Sequence, residues 1–100
     1  MTKKIKISKL PEFDAAEFLK DNEDAAAYLS VVIEENDPAL LAAALGDIAR
    51  ARGMSEIARA SGITREALYR ALRPASQPRF ETIARVCAAL GLRLTVTTSA

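Results

Sequence analysis

The sequence predicts a mainly α fold, one domain of five to six helices that contains a helix-turn-helix and ends in a short strand. Three observations carry this expectation. Met54 to Leu72, MSEIARASGITREALYRAL, has the internal spacing of a helix-turn-helix. Apolar residues recur at helical spacing between cap signals through most of the chain. Leu92 to Thr97, LRLTVT, then switches to strict alternation, the period of a strand.

Taken in order, Ile5, Ile7 and Leu10 stand between Lys4, Lys6 and Lys9, which reads as a short strand or extended arm. After Pro11, Asp14–Lys20 is expected to form a short helix that packs Phe13, Phe18 and Leu19. Asp21 or Asn22 can cap a second helix, NEDAAAYLSVVIEEN, with Ala26, Leu29, Val32 and Ile33 on its inward face. Asp37-Pro38 is a strong start signal, an N-cap followed by proline at the first helical position. The helix it opens, PALLAAALGDIARARG, turns Leu41, Leu45 and Ile48 inward and stops at Gly53. Gly46 costs that helix some stability, so it marks close packing. Ser55 is the expected cap of the next helix and Thr64 of the one after. Residues 73–79, RPASQPR, form a loop with two prolines. Phe80–Leu90 is the final helix, with Ile83, Val86, Cys87 and Leu90 inward and Gly91 at its end. The strand that follows puts Leu92, Leu94 and Val96 on one face and needs a partner for both backbone and face. Either the Ile5–Ile7 segment of the same or another chain, or the same strand of a second copy, can supply it; the dimer-forming strand is favoured.

Within the helix-turn-helix, each position has a physical reason. Two helices that cross steeply in so short a span need a small residue where they touch, and Ala58 supplies it. Gly62 accepts positive φ in the turn, Ile63 plugs the corner, and Leu68 and Leu72 anchor the second helix. The hydroxyl of Thr64 can take an unpaired N–H at the start of that helix. Arg65, Glu66, Tyr69 and Arg70 are left facing outward, with Arg73 just past them. Such a face suits a DNA major groove, with cations for guanine and phosphate and an aromatic for apolar contact. Ser55, Arg73 and Arg79 would hold phosphates beside the groove. Helix-glycine-helix corners also occur in all-α proteins that never meet nucleic acid. The three arginines and a tyrosine, opposed only by Glu66, favour double-stranded DNA as the partner.

Composition narrows the remaining classes. Half the residues are hydrophobic, but many are alanines and there is no Trp, so the core should be closely packed helices rather than an aromatic centre. No apolar run reaches the length of a membrane span, and MTKKIKISKL lacks the apolar stretch of a secretory leader, so a cytoplasmic protein is expected. Cys87 stands alone in a helical pattern and reads as a buried structural thiol. There is no histidine, Gly-rich phosphate loop or metal-ligand cluster, so no enzyme, cofactor or metal is expected. The net charge of +1 hides an asymmetry. Residues 1–50 carry six Lys/Arg against ten Asp/Glu, whereas residues 51–100 carry eight arginines against three glutamates. A basic half for nucleic acid and an acidic half for something else follows naturally.

The string DPALLAAALGDIARARGMSEIARASGITREALYRAL, followed by PRFETIARVCAALGLRL, resembles the addiction-module antidote proteins, the antitoxins of bacterial toxin–antitoxin operons. FDAAEFLKD at residues 13–21 and AAYL at residues 26–29 are similar to the family's upstream segment, so the resemblance covers nearly the whole chain. One departure lies in the loop before the last helix, where Ser76, Gln77, Pro78 and Arg79 replace a Gly-Asn-Pro-Ser-like sequence. The resemblance implies a phage-repressor-type (lambda-repressor-like) helix-turn-helix, operator binding, and a co-encoded basic toxin of the RelE/ParE-like class. It divides the chain into an N-terminal arm with acidic helices at 1–36, a DNA-binding domain at 37–91 and the strand at 92–100, all one compact unit. A basic toxin would suit Asp14, Glu17, Asp21, Glu23, Asp24, Glu34 and Glu35. A homodimer would address two half-sites. Two other readings compete: a phage-type regulator without a toxin, and an interaction module whose helix-turn-helix no longer binds DNA.

Overall fold

Caps set the helix boundaries throughout residues 19–99, the part of the chain that the computed structural model describes. Among these residues there are five α-helices: α1 (Asn22–Glu34), α2 (Pro38–Arg52), α3 (Met54–Ser61), α4 (Arg65–Ala71) and α5 (Phe80–Ala89). Asp21, not Asn22, caps α1; its carboxylate accepts from the N–H groups of Glu23 at 2.8 Å and Asp24 at 3.2 Å. Glu23 and Asp24 in the first turn add favourable charge at the positive end of the helix dipole. Asp37 does the same for α2, accepting from Ala39 and Leu40, with Pro38 pre-set for the first turn.

Gly53, at φ +105°, ends α2 and at once begins α3, leaving no linker between them. Ser55 is therefore already inside α3 and does not cap it; no side chain bonds that helix start. The expected cap fails because the backbone turns two residues earlier, at Gly53, the residue type suited to that φ.

The core is built as the composition suggests. Leu45, Ile48, Leu68, Leu72, Val86 and Leu90 are fully buried, and alanines fill the helix contacts at 25, 42, 44, 49 and 58. Gly46 is a close-packing site: a Cβ there would lie 2.8 Å from the carbonyl oxygen of Leu72. Arg52 at the end of α2 draws three segments together. It donates to the carbonyl of Leu19 at 3.2 Å, the carbonyl of Leu90 at 3.3 Å and Oδ1 of Asn22 at 2.6 Å. Tyr28 of α1 donates to Asp47 of α2 at 3.5 Å.

Two expectations are corrected. On α1 Leu29 and Val32 face inward as expected, but Ala25 completes the stripe, while Ala26 and Ile33 at its edges face out. Residues 92–97 form no strand, and none occurs among the described residues. Leu92 N–H closes back on the Cys87 carbonyl at 2.8 Å, Gly91 takes φ +82°, and beyond them the chain runs outward until Val96 is 96% exposed. Alternation alone makes no strand where no second edge completes the ladder. The expected strand at residues 3–10 and helix at 14–20 fall outside the described residues, save for Leu19 and Lys20, which lie in a turn.

Candidate nucleic-acid interface

The corner between α3 and α4 is three residues long. Gly62 takes a left-handed φ of +74°, and its N–H and that of Ile63 both return to the Ala58 carbonyl, at 3.0 and 3.2 Å. Ile63 is half-buried against the core. Thr64 then caps α4, its hydroxyl accepting from Ala67 N–H at 3.1 Å. Leu68 is fully buried, as is Leu72 at the helix end, which fixes the opposite side of α4 toward water. Arg65, Glu66, Tyr69 and Arg70 are exposed on that side, and Arg73 is exposed just beyond it.

The face is partly ordered in advance. The Arg65 guanidinium carbon lies 5.1 Å from the centre of the Tyr69 ring, and Arg65 also donates to the Tyr69 hydroxyl at 3.3 Å. Such a cation–ring pair holds both side chains along the helix surface.

Ion pairing sorts the arginines of the basic half. Arg59 is held by Glu56 at 2.9 Å and Arg85 by Glu81 at 3.0 Å, while Arg52 is spent on backbone and Asn22. Arg70, Arg73, Arg79 and Arg93 have no carboxylate partner among the described residues. Three of these four flank or occupy α4 or the loop behind it. That loop is folded back by Ser76, whose hydroxyl donates to the Ala71 carbonyl at 2.7 Å. Arg79 occupies the position just before α5 and bonds nothing with its side chain as a cap. Ser55 is exposed in the first turn of α3.

Sequence reasoning missed Arg85. Its Nη1 would lie 3.8 Å from a Cβ built at Gly62, so α5 brings a cation to the corner. Nothing local could have revealed this, since the two positions meet only through the packing of α5 on α3.

Among the described residues, the acidic side chains proposed for a protein partner fall into two groups. Asp21, Glu23 and Asp24 stand at the start of α1 and Glu34 and Glu35 at its end, about 18 Å apart along thirteen helical residues. Asp21 is engaged as a cap. Asp14 and Glu17 lie outside the described residues.

Cys87 is buried, and burial pushes its thiol pKa up. Among the described residues no group of histidine, cysteine or carboxylate side chains could hold a metal, and no helix is long and apolar enough to cross a membrane.

No solved structure matches the chain. It is 47% identical over 87 residues to an uncharacterized protein of Haemophilus influenzae, a match that covers 87% of this chain and 90% of that one. The family described as probable addiction module antidote protein matches residues 9–98.

Proposed function

The chain belongs to the family of probable addiction module antidote proteins, and from that premise we propose that it is the antitoxin of a type II toxin–antitoxin module. It neutralises a co-encoded RelE/ParE-like toxin by direct binding and represses its own operon by occupying operator DNA. The toxin partner follows from the family. The DNA-binding half rests on one observation: the water-facing side of α4 and its flanks carry Arg70, Arg73 and Arg79 without carboxylate partners among the described residues, beside the stacked Arg65–Tyr69 pair.

In this reading α3 and α4 are a phage-repressor-type helix-turn-helix, with α4 in the major groove. Arg65, Glu66, Tyr69 and Arg70 approach base edges, while Ser55, Arg73 and Arg79 meet phosphates. Thr64 fixes the start of α4 and so the height of Arg65 above the bases. Two copies related by a two-fold axis would address half-sites about 34 Å apart.

The test is binding of the full chain to duplex DNA from upstream of its own gene and to a scrambled duplex, each over a salt series. Arg70→Ala should cost about 1–3 kcal/mol on the upstream sequence and relax base preference. Arg79→Ala should weaken both duplexes alike and lower the salt slope by about one. Equal effects of the two changes on both duplexes would remove the base-reading role of Arg70. Absence of any salt-dependent duplex binding would leave only an interaction module.

A further inference from the structure

Of the side chains that α4 turns to water, Arg65 and Tyr69 are joined to each other. They stand four residues apart, so they meet along one side of the helix. The Arg65 guanidinium lies over the Tyr69 ring at 5.1 Å, and its Nη2 donates to the Tyr69 hydroxyl at 3.3 Å. Arg65 has no carboxylate partner among the described residues, and both side chains are exposed. A pair left in water with its charge unmet is open to a ligand, and its donors decide which one.

A guanidinium has five N–H donors and no acceptor, and a phenol has one O–H and accepts through its lone pairs. Here the hydroxyl already accepts from Arg65, and the positive charge beside it makes it a poor acceptor for anything further. Its own proton meets no acceptor among the described residues. The pair therefore offers a ligand donors alone: those of Arg65 not bonded to Tyr69, and the Tyr69 O–H. Among base edges in the major groove, guanine alone shows two neighbouring acceptors, N7 and O6. Adenine and cytosine each place an amino donor there, and thymine sets a methyl group beside its O4. Against adenine or cytosine, one donor of the pair would meet another donor. The ring contact also immobilises the long arginine in advance, so less rotamer freedom is lost on binding.

We infer that Arg65 and Tyr69 act as one unit that reads a single guanine in each half-site through N7 and O6. The inference rests on the DNA-binding reading. It goes beyond that reading by naming the base and by making Tyr69 a specificity-determining residue that works with Arg65. A phosphate also offers acceptors alone, and the experiment separates it from guanine.

The full chain first selects its preferred duplex from a randomised pool, and each guanine of that duplex is then replaced by 7-deazaguanine or by inosine. 7-Deazaguanine carries C–H in place of N7, whereas inosine keeps N7 and O6 and loses only the minor-groove amino group. At one guanine in each half-site, 7-deazaguanine should weaken binding at least about fivefold, and inosine should not. Arg65→Ala and Tyr69→Ala should each abolish that ratio at the same guanine, while Arg70→Ala leaves it intact. The ratio compares two duplexes on one variant, so a general loss of stability or charge does not move it. If Arg65→Ala loses the preference at no guanine, the pair holds a phosphate and the inference is overturned. It is overturned too if Tyr69→Ala keeps the full ratio that Arg65→Ala loses, because the arginine then reads alone. A parent chain with no salt-dependent duplex binding refutes the DNA-binding reading itself, which separates that failure from failure of the guanine contact.

Discussion

A methyl group added at Gly46 tests the packing that holds α4 in place. In an open helix, Gly→Ala stabilises by about 1 kcal/mol, because alanine has less backbone freedom to lose. Here the new Cβ would stand 2.8 Å from the Leu72 carbonyl oxygen and 3.3 Å from Nη1 of Arg50. Arg50 is an exposed, flexible side chain paired with Asp47 and can swing aside at little cost. The carbonyl cannot retreat alone, because Leu72 caps α4 and its side chain is fully buried. Overpacking against such a group costs about 1–3 kcal/mol. The overpacking outweighs the helix gain, and Gly46→Ala should lose about 1 kcal/mol net, worth a fall in Tm of about 4–8 °C for a domain of this size. Thermal unfolding followed by circular dichroism measures it. A variant that melts above the parent would refute the close approach of α2 to the end of α4.

Thr64→Ala removes the only side-chain cap on α4 and should cost about 1 kcal/mol in urea unfolding. Duplex affinity should fall with it, and unchanged stability would show that the cap is redundant. Tyr28 has its pKa raised above its ordinary 10.0, first by burial, then by the charge of Asp47 and the hydrogen bond to it. The folded state therefore holds that proton more tightly than the unfolded one. The associated stability is complete below pH 10 and is lost as pH rises past it. Tyr28→Phe should flatten that alkaline decline, and an identical decline in parent and variant would exclude the Tyr28–Asp47 contact as its source. Cys87, buried with a raised pKa, should react with iodoacetamide slowly in the native chain and fast in denaturant. Rapid native labelling would show that α5 opens readily.

Local signals proved the most readable. Asp37 with Pro38, Gly53, Gly62, Thr64 and Gly91 each act on their own backbone, so their effect is written within a turn of the residue itself. Leu68 and Leu72 were legible as anchors because helical spacing leaves them no other face. The edges of the buried stripe of α1 were not legible. Leu29 and Val32 are fixed by spacing, but Ala25 competes with Ala26 and Ile33 adjoins Val32, so the pattern leaves the edges of the stripe open and packing on α2 decides. LRLTVT reads as a strand because alternation reports what a segment could pair with, not whether an edge is present. In the site, the residues on α4 were readable from the turn and the buried face. Which arginines are uncommitted was half readable. Arg59–Glu56 and Arg85–Glu81 stand three and four residues apart, the distances at which helical side chains meet. The partners of Arg52 lie thirty or more residues away on either side, and no pattern in the sequence points to them.

Arg52 also makes the two margins of the helical body one thermodynamic unit. A single guanidinium holds Leu19, Asn22 and Leu90, positions up to 71 residues apart in the chain. If the end of α5 peels away, the same side chain loses part of the geometry with which it holds the entry to α1, and the reverse is equally true. Fraying at the two places is then cooperative rather than independent. Hydrogen exchange would register this as matched protection of the first amides of α1 and the last amides of α5, rather than as a gradient falling off separately from each end.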